Sequence, residues 1–288
     1  MPQEAPDFLA RLDALVKRGR PSTRAFRAFV RTFYREHGRK LPWRETRSAY
    51  RILVSEVMLQ QTQAERVIPK YREFLRRFPD WSALAEARTA EVMQAWQGLG
   101  YYRRAFNLQR AAQAVVREFG GKLPQDPPVI RSLPGVGSYT AGAVCAFAFD
   151  VALPIIETNV RSVFLYTFFP KRKAVSDAEI LQLVEETLDR RNPRDWYYAL
   201  MDLGSELKRH RRGINARSKH HAKQSRYEGS NRQARAAVLK TLAEHGAATE
   251  ADIARLVSAE RARIEQAVAG LLKEGLVRRL KGARLALP

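Results

Sequence analysis

The chain has 288 residues, of which 45% are hydrophobic, so it is long enough for two or three domains with buried cores and is not a disordered tail. Its 51 lysines and arginines outnumber its 30 acidic residues, and the resulting net charge of +21 favours a polyanionic partner, with nucleic acid first. No apolar run approaches the ~20 residues that span a bilayer, and residues 1–10 lack a basic-then-apolar signal pattern, so we expect a cytoplasmic protein.

Apolar residues recur at helical spacing along nearly the whole chain, which predicts a mainly α fold. Ser22 or Thr23 can cap the first predicted helix, and Ser176 can cap a later one. Residues 133–137, Leu-Pro-Gly-Val-Gly, predict a tight turn into a helix that begins at Ser138. In chain order the predicted helices cover residues 23–36, 50–61, 64–77, 81–86, 89–96, 103–119, 129–132, 138–149, 160–168, 177–190 and 196–208.

The segment 208–226 differs from its surroundings because it is strongly basic and has almost no large apolar side chain. We expect a loop there that does not contribute to a core. Beyond it, predicted helices at 231–244, 249–257 and 259–274 precede a hairpin at 276–287. This order is typical of a winged-helix module whose recognition helix is 259–274. A small helical cap without DNA contact explains the pattern equally well.

The residue types exclude several kinds of site. A single cysteine, Cys145, excludes an intrachain disulfide and a thiolate cluster, and its apolar neighbours predict a buried packing residue. His210, His220 and His221 have a spacing that fits no common zinc site, so we expect no metal.

A Gly-x-Gly turn at Gly135 and Gly137 leaves backbone N–H groups at a helix N-terminus where a phosphate can approach. Alone this is a weak signal, because glycine often serves only to turn the chain. Residues 133–141, Leu-Pro-Gly-Val-Gly-Ser-Tyr-Thr-Ala, resemble the hairpin of the helix-hairpin-helix (HhH-GPD) DNA glycosylase superfamily, which includes endonuclease III. The acid that this superfamily carries about twenty residues later is present as Glu157.

Three further stretches resemble the adenine glycosylase (MutY) branch of this superfamily. They are residues 41–44 (Leu-Pro-Trp-Arg), 55–62 (Ser-Glu-Val-Met-Leu-Gln-Gln-Thr) and 96–102 (Trp-Gln-Gly-Leu-Gly-Tyr-Tyr). Together with the hairpin, the matching motifs extend over most of residues 25–205.

The resemblance implies a two-lobed helical glycosylase fold with a small winged-helix-like module at the C-terminal end. The implied domains are N-terminal helices that pack with the second lobe (1–49), a six-helix barrel with the hairpin (50–153), a second helical lobe whose basic loop replaces a cluster loop (154–227), and the small module (228–288).

The chemistry of base removal requires a proton on the departing purine and a carboxylate beside the cationic sugar. The resemblance implies that Glu56 is the general acid, and its apolar neighbours predict a desolvated carboxyl with a raised pKa. A solvated glutamate on the outer face of the helix is the alternative.

Glu157 occupies the position where the family has the aspartate that stabilises the sugar cation. Its extra methylene moves the carboxylate by ~1.5 Å, which can cost on the order of 100-fold in rate unless the pocket is remodelled. Asn159 is implied to hold this region by side-chain hydrogen bonds. Tyr139 stands where bifunctional relatives have a Schiff-base lysine, so we expect hydrolysis without β-lyase activity.

The resemblance also implies which residues contact DNA. Gln61 and Tyr101 would fill the stack that an extruded base leaves, and Thr62 and Leu99 would face the opposite base. Tyr101 and Tyr102 could instead be ordinary packing residues between helices. Gly135, Gly137 and Ser138 would bind a phosphate at the hairpin, where the family suggests a monovalent cation.

In the family, the motif at 201–204 (Met-Asp-Leu-Gly) is followed by four cysteines that bind an iron–sulfur cluster. The matching positions here read Lys208, Asn215, Ser218 and Gln224, so we expect no cluster. The MutY branch usually also has a MutT-like domain that reads 8-oxoguanine, and nothing after residue 226 resembles it.

The expected function is therefore base excision repair by a monofunctional glycosylase of the adenine type, acting as a nucleoid-associated monomer on duplex DNA with a damaged or mispaired base. A glycosylase for uracil, thymine or another damaged base is the first alternative. A non-catalytic DNA-binding protein is the second, and a transcription regulator that uses the C-terminal module is the third.

Overall fold

The computed structural model describes residues 7–220 and 228–288, and the chain is mainly α-helical, which confirms the predicted fold class. No helix in these two ranges is long and apolar enough to cross a membrane. The described ranges contain fifteen helices: α1 (Asp7–Lys17), α2 (Thr23–His37), α3 (Ala49–Leu59), α4 (Ala64–Arg77), α5 (Trp81–Glu86), α6 (Thr89–Ala95), α7 (Arg103–Phe119), α8 (Pro127–Ser132), α9 (Ser138–Phe149), α10 (Thr158–Phe168), α11 (Asp177–Thr187), α12 (Pro193–His210), α13 (Asn231–His245), α14 (Glu250–Leu256) and α15 (Arg261–Lys273).

Side-chain capping explains several of the helix starts. Ser22 caps α2 by accepting a hydrogen bond from the Ala25 N–H, and Ser176 caps α11 in the same way. Helix α12 begins three residues before its predicted start because Asn192 caps it and Pro193 occupies its first position. Helix α1 was not predicted, although it buries an apolar face that includes Phe8 and Leu12.

The helices pack into two compact units, each formed from segments that are distant in sequence. Among the described residues, unit A comprises 7–49, 125–127 and 137–220, and unit B comprises 50–124, 128–136 and 228–288. The predicted division into 1–49, 50–153, 154–227 and 228–288 differs from this grouping at α9 and at the C-terminal module.

Two sets of interactions account for the difference. The Phe147 ring of α9 stacks on Tyr198 of α12 at 4.3 Å, so α9 groups with unit A. The Gln94 side chain donates to the Ala243 carbonyl at 2.7 Å, and α13 packs along α6, so the module groups with unit B.

The C-terminal module has the predicted winged-helix-like order. Helices α13, α14 and α15 pack on one another around buried residues such as Val238 and Ile264. A short antiparallel pair follows, β1 (Arg278–Arg279) with β2 (Leu285–Ala286), connected through a 3₁₀ turn at Lys281–Ala283. The proposed DNA-recognition role of α15 stays a prediction.

The expectation that 208–226 is a loop outside any core is wrong for its first part. Residues 208–210 complete α12, and Ile214–Arg217 forms a 3₁₀ turn in which Ile214 is buried. Lys219 N–H donates to the Val175 carbonyl at 3.0 Å, and the Val175 N–H donates to the Arg217 carbonyl at 3.0 Å. Backbone pairing therefore anchors this segment to unit A. His221, Gln224 and the other residues of 221–227 lie outside the described residues.

Unit A contains a buried ionic cluster that joins the motif at 41–44 to the motif at 201–204. The Arg44 guanidinium donates to both carboxylate oxygens of Asp202, at 2.7 and 2.8 Å, and Arg39 donates through its backbone and side chain at 2.8 and 2.6 Å. Burial alone would raise the pKa of Asp202, but the hydrogen bonds and charges of the two arginines lower it below its ordinary value. The carboxylate is therefore held ionised in the core.

We predict that Asp202→Asn lowers the free energy of unfolding by about 3–5 kcal/mol, because it leaves the buried Arg44 without a counter-charge. The measurement is urea unfolding followed by circular dichroism. Glu186→Gln is the matched control, since it removes an exposed ion pair with Arg20, and a change below about 1 kcal/mol is expected. Equal losses for the two variants would contradict the prediction.

Candidate functional site

Glu56 lies near the end of α3, a helix that is buried along almost its whole length. Its side chain is 5% exposed, and its neighbours Ser55, Val57 and Met58 are buried as well. The alternative of a solvated glutamate on an outer helix face is therefore wrong. A carboxyl in an apolar helix is the environment that a proton donor needs at neutral pH.

Gln61 and Tyr101 are the two candidate wedge residues, and both have backbones in the left-handed region, with φ of 58° and 49°. Such conformations cost roughly 1–3 kcal/mol each in a residue with a side chain, and they concentrate at functional sites. Gln61 is exposed, and Tyr101 is 37% exposed. Tyr102 is 7% exposed, so it is the packing residue of the tyrosine pair.

The two residues expected to face the opposite base differ in their exposure to solvent. Thr62 is partly exposed beside Gln61. Leu99 is 4% exposed, which does not support a DNA contact through its side chain.

Arg104, at the start of α7, joins the segment after α3 to the loop that carries Tyr101. One guanidinium nitrogen donates to the carbonyls of Val57 and Met58 at 2.8 and 2.9 Å and to that of Gln60. The other donates to the Thr62 hydroxyl at 3.2 Å and to two carbonyls of the loop, those of Leu99 and Gly100, both at 3.0 Å.

The charge of Arg104 is balanced by carbonyl dipoles. Burial lowers its pKa to about 10, which leaves it protonated at neutral pH. Its guanidinium also lies over the rings of Trp96 and Tyr101, at 5.4 and 5.6 Å. The sequence reasoning missed Arg104, because nothing in its local pattern distinguishes it from Arg103.

Glu157 is the N-cap of α10, and its carboxylate folds back onto the first turn of that helix. One oxygen accepts the N–H groups of Asn159 and Val160 at 2.7 and 2.8 Å, and the other accepts the Asn159 side-chain amide at 3.1 Å. Burial raises the pKa of Glu157, and these hydrogen bonds together with the charge of Lys208 oppose the rise.

Lys208 was predicted as the last residue of a helix and the first of the basic segment, and its effect on Glu157 was not predicted. Burial lowers the pKa of its ammonium, and the charge of Glu157 opposes that effect. Gly204, one turn earlier on α12, allows this approach: a Cβ there would lie 2.2 Å from the Asn159 carbonyl oxygen. The glycine thus lets α12 pack closely against the start of α10, where Glu157 lies.

The hairpin turn exposes Gly135, Gly137 and Ser138 to solvent. Gly135 is required by the chain itself, since its φ is +77° and a Cβ would lie 2.6 Å from Asn107 Cβ. Gly137 has an ordinary φ of −85°, and a Cβ there would meet none of the described residues within 4 Å. The phosphate contact of Gly137 stays a prediction. Tyr139, the second residue of α9, is half-buried, and its role stays a prediction as well.

The positions that match the family's cluster ligands do not fit an iron–sulfur cluster. Asn215 accepts a hydrogen bond from the Ser162 hydroxyl at 2.9 Å, Ser218 is buried beside Val175, and Lys208 is a cation next to Glu157. None supplies a thiolate, and Cys145 is buried within α9 at a distance in sequence from all of them. Burial raises the pKa of the Cys145 thiol to about 11, as suits a packing residue.

Glu56 belongs to unit B and Glu157 to unit A. That the two act on one nucleoside stays a prediction.

Comparison with known proteins gives a consistent set of matches. The family model described as "HhH-GPD superfamily base excision DNA repair protein" matches residues 54–189. The adenine DNA glycosylase of Mycobacterium tuberculosis H37Rv is 35% identical over 280 residues, covering 89% of this chain and 91% of that one. The adenine DNA glycosylase of Mus musculus is 39% identical over 64% of this chain, which corresponds to 38% of its own length. The structure of a thermostable thymine-DNA glycosylase aligns with a TM-score of 0.58 at 26% identity, covering 64% of this chain and 86% of that one.

We predict that Arg104→Lys lowers the free energy of unfolding by more than about 3 kcal/mol, because a lysine ammonium cannot reach both segments and leaves several carbonyls without donors. Urea unfolding followed by tryptophan fluorescence measures this. Arg110→Lys, at an exposed position of the same helix, should change stability by less than about 0.5 kcal/mol. An Arg104→Lys protein as stable as the parent would show that Arg104 does not connect the two segments.

Proposed function

Because the chain belongs to the HhH-GPD superfamily of base excision DNA repair proteins, we propose that this DNA glycosylase hydrolyses the bond between a mispaired adenine and its deoxyribose. The observation that carries the substrate is the 35% identity to an adenine DNA glycosylase across 89% of this chain. In this proposal the reaction's two carboxyl groups are the buried Glu56 and Glu157, which caps α10.

Glu56 is the proposed general acid. A departing adenine leaves more easily once a ring nitrogen is protonated, because a neutral base is a better leaving group than an anion. A buried carboxyl retains its proton more readily than an exposed one, since burial disfavours the charged form. Glu56 therefore donates the proton in this proposal, and afterwards it assists the attacking water.

Glu157 is the proposed stabiliser of the cationic sugar. The group must be ionised for this role, and three N–H groups from Asn159 and Val160 favour the anion against burial. Asn159 acts as a positioning residue, because it contributes two of those three donors. Lys208 favours the same ionised form through its charge.

Tyr139 is the basis for proposing hydrolysis without strand cleavage. A phenol cannot form the Schiff base that a lyase needs at this position.

Thymine excision is the second candidate, because the thermostable protein that aligns with this chain is a thymine-DNA glycosylase.

We predict that the protein releases adenine from a mispaired duplex under single-turnover conditions, and that Glu56→Gln and Glu157→Gln each slow release by at least about 100-fold. Glu65→Gln, in the first turn of α4, is the control and should excise at the parental rate. Duplexes with uracil, thymine or an alkylated base, assayed beside the adenine duplex, identify the substrate.

Release at the parental rate by Glu157→Gln would reject the assignment of Glu157, and binding without release from any duplex would favour the non-catalytic alternative. A covalent adduct trapped with borohydride would contradict the monofunctional assignment.

The pH dependence of the reaction tests the effect of the Lys208 charge on Glu157. Release should slow as the pH falls through the pKa of Glu157, because protonation removes the charge that stabilises the sugar cation. Since the Lys208 charge lowers that pKa, Lys208→Met should raise it and move the acidic decline to higher pH. Lys208→Arg keeps the charge and should leave the decline in place. The measurement is the single-turnover rate across pH, and an unchanged profile in Lys208→Met would show that the two groups are not coupled.

A further inference from the structure

The C-terminal module ends in an exposed hairpin to which the proposed function assigns no role. We call residues 278–286, which comprise β1, the 3₁₀ turn and β2, the wing. It is fixed to the module on two sides, because β2 pairs with β1 and Leu285 also exchanges two backbone hydrogen bonds with Ala248, at 3.0 and 2.8 Å. Arg279 adds an ion pair at 2.9 Å to Glu250, in the first turn of α14. The wing is therefore held in one orientation on the module.

The register of the two strands determines which side chains of the wing share a face. Arg279 lies opposite Leu285, which is fully buried, so this pair of positions faces the core of the module. The alternate positions face outward, and they carry Arg278, Leu280 and Arg284, all of which are exposed. The Leu280 N–H donates to the Arg284 carbonyl at 2.8 Å, which continues the register to the turn. The two outer arginines are thus diagonal neighbours, and such positions lie roughly 7–8 Å apart.

The wing concentrates positive charge. Residues 275–288 contain no acidic side chain and four basic ones, which are Arg278, Arg279, Lys281 and Arg284. By comparison, the 13 residues of α15 include three basic side chains and one acidic side chain, Glu265, which pairs with Arg261 at 2.8 Å. The charge that attracts a polyanion is therefore denser on the wing than on the helix that the sequence pattern suggested for DNA recognition.

Both outer arginines are oriented by a backbone carbonyl. Arg278 Nε donates to the Leu287 carbonyl at 3.3 Å, and a terminal nitrogen of Arg284 donates to the Ala247 carbonyl at 2.8 Å. A guanidinium has five N–H donors, which is more than either of these bonds uses. Arginine also matches the geometry of a phosphate through two parallel N–H bonds. The outer face of the wing is therefore arranged in advance for phosphates.

The wing begins near the candidate wedge residues, which belong to the same unit. Glu274, the C-cap of α15, lines a cavity of about 390 Å³ together with Gln61 and Tyr101. Arg278 follows four residues later, so its Cα lies within about 14 Å of that of Glu274. One turn of duplex DNA is about 34–36 Å long. A duplex that contacts the wedge residues can therefore reach the wing within one turn.

We propose that the outer face of the wing binds the phosphate backbone of duplex DNA beside the lesion, with Arg278 and Arg284 on different phosphates of one strand and Lys281 at the tip. Backbone contacts carry no sequence information, so the wing adds affinity equally on damaged and undamaged duplexes. The proposal requires only that the protein binds DNA, and it does not rest on which base is removed.

The test measures binding to an undamaged duplex about three helical turns long, by fluorescence anisotropy over a range of salt concentrations. Each phosphate contact contributes about 0.9 to the slope of log affinity against log salt concentration. Arg278→Gln/Arg284→Gln should therefore reduce that slope by about 2 and weaken binding at physiological salt by at least about tenfold. Lys281→Gln, at an exposed position of the turn, should reduce the slope by about 1 without a change in the hydrogen bonds of the two arginines.

Two control proteins separate the wing from net charge and from α15. Arg76→Gln/Arg117→Gln removes the same charge from exposed positions of α4 and α7 and should keep the parental slope. Arg263→Gln removes an exposed charge from α15 and should keep it as well. Single-turnover base release at saturating protein should have the parental rate in the wing variants, because the wing contacts no reacting atom.

A parental slope and affinity in Arg278→Gln/Arg284→Gln would overturn the proposal, as would an equal loss in Arg76→Gln/Arg117→Gln. Either result leaves the proposed function standing if adenine is still released. Failure of the parent to release a base from any duplex, with the wing variants still weakened in binding, would instead reject the proposed function alone.

Discussion

The guanidinium of Arg104 is the interaction on which the segment after α3 and the loop before α7 depend in unit B. It donates to five backbone carbonyls and one hydroxyl, drawn from the end of α3 and from the loop before α7. Gln61 and Tyr101 lie directly beside these acceptors, and both have left-handed backbones. Such conformations persist only where the surroundings over-determine them. Arg104 holds the residues on both sides of Gln61 and the residue before Tyr101, and in this way it constrains both backbones.

In unit A the segment after α12 has no cysteine, and other contacts fix its position. Here the segment is held by polar and backbone contacts: Ser162 with Asn215, the pairing of Val175 with 217–219, and Arg217 donating to the carbonyls of Phe169 and Pro170. Each such hydrogen bond contributes about 1 kcal/mol to the free energy of unfolding. They are distributed along α10 and its C-terminal end, so the described part of the segment is fixed at several points.

The sequence was sufficient where the determinants are local. Helices α7 and α9 have the predicted bounds, because Gly120 in a left-handed conformation ends the first and the hairpin turn opens the second. The burial of Glu56 and Cys145 also followed from their apolar neighbours.

Features that depend on contacts between residues distant in sequence could not be predicted from the sequence. Arg104 acts on residues more than forty positions away, and the Lys208 charge acts on Glu157 across α12 and α10, which Gly204 allows to pack closely. The burial of Leu99 has the same origin, since a motif match cannot tell an exposed loop residue from one that the fold encloses. In a chain with many arginines, the neighbours of a charged residue in sequence do not indicate which distant residue it contacts.

The cap geometry of Glu157 determines where its carboxylate lies. The backbone at Glu157 is extended, with φ of −133° and ψ of −178°, and the side chain returns to its own helix. The carboxylate therefore lies at the positive end of the α10 dipole, where an anion is favoured. Burial opposes ionisation, while three N–H donors and the Lys208 charge favour it. The balance of these effects, more than the length of the side chain, determines whether Glu157 carries the negative charge that a cationic sugar requires.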